Sequence, residues 1–505
     1  MSIRIVLVLL SAGLQTLALP PFGLVSVAWI ALVPMLLALR GLSVRRAAAL
    51  GLLFGTAAIW GVGYWVPSAF AHYYQQPRWF GVGFALAASV IFAGSYSAGF
   101  AAGVAALTPQ VRGLRRVTLV ACLWVAWELL RARMLTGDPW LLLGYALGPS
   151  RVLSQSADLG GVYLLSFLVA FVNAALVEAL GQASPRERFS PIVVAVLGLL
   201  GAWAYGQARL AMVFPGAAVP VVVVQGNNPV GTQWRAEDYG SGLERYLRLS
   251  SEAAERSHPQ LFVWPESAVT FFLADDRSYQ ATIGRLLGST GADLILGGPF
   301  RDVQDGGPRH FNSAFYMTAD GRLAGRYDKT HLLPFAEYFP LRTIQLLRRR
   351  FERVPFFTAG SGEELLQTRV GPVAAVVCFE AIFPELVRAR MARGARLLVN
   401  LSNDAWLGTG AGREQHLAMV ALRAIENRTW VIRATTTGIS AVIDPFGAVV
   451  ERGPTDVPAA LAGTVVPLAI DTVYEAIGDA FAFGCLGLAV VAAIGLWVVR
   501  SSSRE

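Results

Sequence analysis

Long apolar runs alternate with short arginine-bearing turns through the first 207 residues, and the pattern then changes to that of a water-facing protein. Seven apolar stretches lie near 3–20, 22–39, 47–68, 81–107, 117–132, 161–182 and 190–207, and an eighth near 479–499. A helix needs roughly 20 apolar residues to cross the hydrocarbon core, so each stretch is expected to span a bilayer. The first has Arg4 ahead of it and ends in Ala18-Leu-Pro-Pro, a layout shared with cleaved signals. A second apolar segment follows directly after Pro20-Pro21, which favours an uncleaved first helix. The expected organisation is a seven-helix transmembrane domain over 1–207, a globular domain over 208–478, and an eighth transmembrane helix with a tail over 479–505.

Within 208–478 the pattern predicts alternating strands and helices. Val219–Gln225, Leu261–Trp264, Asp293–Gly298, Val373–Val377 and Arg396–Asn403 read as strands, and a hairpin from Phe311 to Tyr327 turns at Asp320-Gly321. The polar stretch containing Glu237, Glu244, Arg248 and Glu255 reads as a helix, as does Glu414 to Arg428; a last strand pair runs from Trp430 to Ala434 and Ile439 to Asp444. This is an α/β domain large enough for its own core.

Composition sharpens the membrane assignment. Of 505 residues, 54% are hydrophobic and 15% charged, and the mean hydropathy is +0.50, which excludes an ordinary soluble protein. Arg4, Arg40, Arg45, Arg46, Arg112, Arg115, Arg116, Arg186, Arg188, Arg500 and Arg504 fall on one side under an eight-helix count, against Arg78, Arg131, Arg133 and Arg151 on the other. The positive-inside rule then puts both termini in the cytoplasm and the globular domain outside, in the periplasm of a bacterial cell. The net charge of +8 divides unevenly: 27 basic and 27 acidic residues lie between 208 and 478, and 15 and 7 elsewhere. The excess reports topology and leaves no nucleic-acid footprint.

Three residue types carry chemistry. Cys122 and Cys485 lie in apolar stretches, which leaves Cys378 as the one thiol of the globular part, without a disulfide partner there. Cys378 ends the apolar run Val373-Ala-Ala-Val-Val, and Pro384-Glu385 opens a helix, so the thiol sits at a strand-to-helix corner near N–H groups that favour a thiolate and can hold an oxyanion. Lys329 is the sole lysine among 42 Lys plus Arg, a compact ammonium in a chain otherwise biased to arginine. Glu266 follows a strand in Trp-Pro-Glu-Ser, and residues at the carboxyl ends of neighbouring strands share one crevice.

Other features read as structural or as membrane contacts. Glu128 and Glu178, near helix ends, are expected to snorkel to the interface. Loop Leu135–Tyr145 suits the membrane surface, as an aromatic belt or the wall of a lipid site, and Phe271-Phe272 either dip into a bilayer or pack inside. Leu341–Phe357 reads as a basic amphipathic helix, solvated or lying on anionic lipid.

The segments WPES, YDKTHLLPFAEYFP and CFEAIFPE resemble the nitrilase superfamily, and their place between seven leading helices and one trailing helix resembles its membrane-embedded apolipoprotein N-acyltransferase family. The resemblance implies an α-β-β-α sandwich outside the membrane, with Glu266 as general base, Lys329 as transition-state stabiliser and Cys378 as nucleophile. It places Glu337 and Glu380 at supporting acidic positions and Trp234 at an aromatic near the substrate entrance. Phe379 stands where some relatives have Tyr; its backbone N–H would meet the oxyanion. The implied reaction is ping-pong transfer of an acyl chain from a phospholipid, with phosphatidylethanolamine the expected donor, through a thioester to the α-amino group of a diacylglyceryl-cysteine apolipoprotein in the bacterial inner membrane.

Three other readings use the same residues. A membrane-tethered amidase or thioesterase would hand the acyl group to water. A lipid transporter or scaffold would keep a degenerate catalytic domain. A Cys-His protease would use His331 or His416, although in an extended segment His331 points away from Lys329. No metal-ligand spacing, Walker loop or dinucleotide fingerprint appears, so no metal or cofactor is expected, and a monomer is expected.

Overall fold

The computed structural model describes all residues except 182–183, 229–238, 305–306, 341–355, 363, 409 and 503–505. Trp234 and nearly all of the expected basic helix therefore lie outside the described residues. The chain divides into two compact units: Met1–Ser68 with Pro77–Met212 and Thr472–Glu505, and Ala69–Gln76 with Val213–Asp471.

The first unit is helical. Among the described residues, four helical segments are both long and apolar enough to cross a membrane: Arg78–Leu107, Leu153–Ala179, Pro185–Leu210 and Ala480–Val499. Ser2–Ala18, Val44–Val62 and Gly113–Arg133 are further helices. The stretch expected as one helix over 22–39 is broken into Val25–Ala28 and Val33–Leu39. Pro34, which lacks a backbone N–H, is tolerated in the first turn of the restarted helix. Helices approach closely at Gly51, where a Cβ would lie 2.3 Å from the Ser97 carbonyl oxygen.

Two expectations for this unit are corrected by hydrogen bonding and burial. Glu128 does not snorkel: it is buried, and its Oε1 accepts the Leu143 N–H at 2.6 Å. Glu178 likewise accepts the Gly113 N–H at 2.8 Å and pairs with Arg116 at 3.2 Å. Both carboxylates tie a helix to an adjoining turn, a use that needs buried donors in place of water. The second half of loop Leu135–Tyr145 packs inside this unit, while Leu135 stays exposed. Trp140, Leu142, Leu143 and Tyr145 are buried, and the Trp140 ring lies 5.9 Å from that of Trp65.

Among the described residues, the second unit is built on two six-stranded sheets. The strands are β1 (Val219–Gln225), β2 (Leu261–Val263), β3 (Asp293–Gln304), β4 (Gly307–Met317), β5 (Leu323–Asp328), β6 (Leu366–Thr368), β7 (Gly371–Val377), β8 (Leu397–Ser402), β9 (Val431–Thr435), β10 (Ala441–Ile443), β11 (Val449–Arg452) and β12 (Ala459–Val465). Their orders are β12-β1-β2-β3-β4-β5 and β11-β10-β9-β8-β7-β6. Helices Tyr239–Ser257 and Arg277–Thr290 pack on the first sheet through Leu243, Tyr246, Ile283 and Leu287. Helices Pro384–Met391 and Ala411–Asn427 pack on the second through Val387, Leu417 and Val420. The result is an α-β-β-α sandwich, the layer order expected from the sequence.

Strand boundaries follow burial. β7 and β8 are almost continuously apolar and buried because a helix covers one face and the other sheet the second. The Asp320-Gly321 turn closes β4 onto β5, with Gly321 at φ +79°. The β3–β4 hairpin runs well past Gly298, through pairs such as Asp302 opposite Arg309, whose side chains bond at 2.8 Å. Those solvated polar residues carry no alternating apolar signal, so the extension is invisible to hydrophobic periodicity. Phe271 packs inside, stacked on Tyr279 at 4.1 Å, and Phe272 stacks on His310 at 5.6 Å.

Candidate active site

Four chain segments deliver the candidate residues to one place. β2 ends at Val263 and runs on to Glu266; β5 ends at Asp328 immediately before Lys329; β7 ends at Val377 immediately before Cys378; and Glu337 lies in the loop after Lys329. After Cys378 the chain turns through the short 3-10 helix Cys378–Ile382 and enters the helix that opens at Pro384. Cys378 itself has φ +53°, a left-handed conformation that costs a non-glycine residue about 1–3 kcal/mol and points to a constrained corner.

Lys329 is the centre of the charge cluster. Its side chain is 1% exposed; Nζ lies 2.7 Å from Glu337 Oε2 and 3.9 Å from Glu266 Oε1. Asn312, on β4, donates through Nδ2 to Glu266 Oε1 at 2.8 Å and to Glu337 Oε1 at 2.7 Å, so one amide spaces both carboxylates. Glu266 Oε2 accepts the Asn403 N–H at 2.7 Å, and Glu337 Oε2 accepts the Leu333 N–H at 2.8 Å. Burial alone would drive the ammonium toward neutrality, but Glu337 and Glu266 outweigh it and hold the Lys329 pKa above the ordinary lysine value.

The thiol does not rest as the thiolate that a helix-terminal corner suggests. Burial, and then the Glu266 charge, push Cys378 up to about 12, against the opposing pull of Lys329 and the Ser402 hydroxyl. Burial also raises Glu266; Lys329 opposes this shift and Glu337 adds to it. A neutral thiol beside a carboxylate of raised proton affinity is an arrangement for transferring the proton during attack, with no need for a standing ion pair.

Glu380 lies one layer behind. Its Oε1 accepts from Tyr327 Oη at 2.7 Å and from the Thr330 and His331 N–H groups at 2.8 and 3.1 Å, while Oε2 accepts the Val377 N–H at 2.8 Å. Although burial opposes it, Arg390, then Lys329 and the Val377 N–H, hold the Glu380 pKa below the ordinary carboxylate value. Glu380 thereby joins the strand before the cysteine to the segment after the lysine. The Phe379 ring packs on Phe383 at 5.1 Å and faces His331 at 6.3 Å, which gives that side chain an apolar supporting place. His331 itself packs on Phe383 at 4.1 Å.

Asn312, Arg390 and Asn403 also belong to this site and escape a motif-based reading, and Tyr327 opens the lysine motif without a role that the motif assigns. The one signal for Asn312 is a polar amide in a strand between Phe311 and Phe315, where a buried amide demands partners. Tyr73 is a further neighbour: its segment Ala69–Gln76 groups with this unit. Desolvation, and then the charges of Glu266 and Cys378, raise its phenol pKa.

A sheltered thiol, a carboxylate and an ammonium thus meet at one place on the two-sheet sandwich. A sequence model of the family described as Carbon-nitrogen hydrolase matches residues 221–465, and one described as Apolipoprotein N-acyltransferase N-terminal domain matches residues 11–175. The chain is 36% identical over 493 residues to an apolipoprotein N-acyltransferase of Geobacter metallireducens, covering 96% of this chain and 94% of that protein. It is 34% identical over 483 residues to one of Pseudomonas paraeruginosa, covering 92% and 90%. Among solved structures, the NitFhit protein of C. elegans is similar with a TM-score of 0.41 and 21% identity, over 53% of this chain and 65% of that one. The chain belongs to the apolipoprotein N-acyltransferase family.

Proposed function

We propose that the protein transfers an acyl chain from a phospholipid to the α-amino group of a diacylglyceryl-cysteine at the N-terminus of an apolipoprotein, through an acyl thioester on Cys378. The observation that carries this reading is the buried ammonium of Lys329, held between Glu337 and Glu266 beside the Cys378 corner. Glu266 takes the thiol proton as sulfur attacks the ester carbonyl. The oxyanion forms toward Lys329 and the Phe379 N–H, as charge development in a dry site requires. Collapse breaks the ester C–O bond, and the proton on Glu266 leaves with the lysophospholipid. The acceptor amine then attacks the thioester, Glu266 takes a proton from nitrogen, and the Cys378 thiolate leaves and is reprotonated. Glu337 and Glu380 orient the lysine and the flanking loops.

In the same reading the chain spans the inner membrane eight times over 1–207 and 479–505, with both termini cytoplasmic and residues 208–478 periplasmic. The arginine asymmetry supports this. Phosphatidylethanolamine is the donor, the enzyme is a monomer, and apolar surroundings that exclude water favour transfer to the amine over hydrolysis.

Intact-mass spectrometry of the full chain after incubation with phosphatidylethanolamine alone tests the mechanism. An acyl adduct is expected on Cys378, absent from Cys378→Ser and discharged by a diacylated lipopeptide. An unmodified wild-type protein defeats the thioester, and rapid discharge to water without an amine defeats the transferase reading.

A further inference from the structure

A second buried charge cluster lies behind the nucleophile, on β8, β9 and the helix Ala411–Asn427. Arg433 forks between two partners: Nη1 donates to Asn400 Oδ1, and Nη2 to Asp404 Oδ2 at 2.6 Å. Asp404 Oδ1 accepts the Ser402 hydroxyl at 2.8 Å and stands 3.1 Å from His416 Nδ1. Asn400, Ser402, Asp404, His416 and Arg433 are all fully buried. The fit is tight, since a Cβ on Gly438 would lie 2.4 Å from Asp404 Oδ2.

The cluster reaches the reacting groups through Asn400 and Asn403, and its Ser402 hydroxyl also acts on the Cys378 thiol. Asn400 Nδ2 donates to the carbonyl oxygens of Val376 and Cys378, at 3.3 and 3.4 Å, across the corner where Cys378 has φ +53°. Asn403, whose N–H holds Glu266 Oε2 at 2.7 Å, sits between Ser402 and Asp404, the two residues this network pins together. His416 belongs to the same scaffold: it is fully buried, and its Nδ1 also lies 3.2 Å from Arg433 Nη2.

Stabilising a buried fold does not by itself require an ion pair, because desolvation offsets most of the attraction. A guanidinium fork does fix two acceptors in one plane. Here those acceptors lead to the nucleophile and to the carboxylate that takes its proton.

We propose that Asp404 is a positioning residue for chemistry at Cys378: with Arg433 it clamps the end of β8 so that the Asn403 N–H holds Glu266 and Asn400 holds the Cys378 corner. The inference deepens the acyl-transfer reading and rests on it. The test compares full-length wild type, Asp404→Asn and the milder Ser402→Ala, solubilised in detergent, with phosphatidylethanolamine in mixed micelles as the probe. Each is measured for thermal stability, rate of Cys378 acylation, half-saturating lipid, and the acid limb of the pH–rate profile. For Asp404→Asn, acylation per folded molecule is expected to slow about 10- to 100-fold, in line with losses on removing an outer supporting partner, at unchanged half-saturating lipid. The acid limb is expected to move to higher pH as Glu266 loses its grip on the Asn403 N–H. Ser402→Ala should move in the same direction by less.

A rate that falls only with the folded fraction, with an unmoved acid limb, overturns the proposal, because a merely structural role predicts that pattern. If Asp404→Asn does not fold, Ser402→Ala decides alone. If wild type itself forms no acyl adduct, the transferase mechanism fails. The alkylation rate of Cys378 by iodoacetamide in Arg433→Lys, which keeps the cation and the Ser402 hydroxyl but loses the fork, then decides the positioning role: a changed rate supports it and an unchanged rate overturns it.

Discussion

The Lys329 ammonium lies 2.7 Å from Glu337 Oε2, closer than its 3.9 Å approach to Glu266. The lysine is therefore anchored by one carboxylate and shared with the other, which leaves Glu266 free to accept a proton without losing the cation from the site. Glu337→Gln should keep the acceptor for Leu333 and remove the anchoring charge. A loss of about 10- to 100-fold in the acylation rate is expected, as for a supporting partner. Glu266→Gln removes the proposed base and should cost about 100- to 10,000-fold. Single-turnover mass spectrometry with phosphatidylethanolamine separates the two, and equal losses would contradict the division of roles.

The pH dependence has a definite sign. Glu266 must be ionised to take the proton, and its pKa is raised by burial, so activity should climb with pH along a limb above the ordinary carboxylate range. No alkaline limb from Cys378 is expected near neutrality, because the thiol is pushed up to about 12. Glu266 contributes to that elevation. Glu266→Gln should therefore speed alkylation of Cys378 by iodoacetamide at mildly alkaline pH while it slows acylation; slower alkylation in the variant would contradict the electrostatic account.

Gly297, on β3, is a position where the site tolerates no side chain. A Cβ there would lie 2.6 Å from both Glu266 Cα and the Pro265 carbonyl oxygen, and these are backbone atoms that cannot swing aside. Gly297→Ala should cost about 1–3 kcal/mol as an overpacked site and displace the Glu266 carboxylate from Asn312 and Asn403. A lowered melting temperature with a disproportionate loss of acylation is expected. A variant with wild-type acylation per folded molecule would show that the Glu266 loop absorbs the clash elsewhere.

The parts of this architecture that follow a period or a motif were legible from the chain alone. Apolar length located the four long apolar helical segments but not the break within 22–39, and strand-ending motifs led to Glu266, Lys329 and Cys378. What escaped was set by partners distant in sequence. Glu128 and Glu178 look like interfacial acids until Leu143 and Gly113 present N–H groups to them. Asn312 is one amide in a hairpin until the fold brings Glu266 and Glu337 to either side of it. The thiolate expected at a strand-to-helix corner was overridden by burial and by a neighbouring carboxylate, neither of which local sequence encodes. Asp404 and Arg433 lie 29 residues apart and carry no motif of their own.

Glu380 and Arg390 provide a test that separates charge pairing from packing. Both are buried, and Arg390 Nη2 lies 3.6 Å from Glu380 Oε1, with its guanidinium 4.7 Å from the centre of the Tyr327 ring. Arg390→Met keeps much of the volume but leaves Glu380 without its cation, and breaking a buried pair in this way costs about 3–5 kcal/mol. The Glu380 pKa is depressed in the folded chain, so its contribution is present above the unfolded carboxylate value and is lost as pH falls through the folded one. Arg390 is the first of the groups that hold it down. The stability gap between wild type and Arg390→Met should therefore be widest at neutral pH and should narrow on acidification, because a protonated Glu380 no longer needs the guanidinium. Thermal unfolding of the detergent-solubilised full chain at neutral pH and at about pH 4, near the ordinary glutamate pKa, measures both gaps. Equal gaps at the two values would assign the loss to the Tyr327 contact and the vacated space, not to the ion pair.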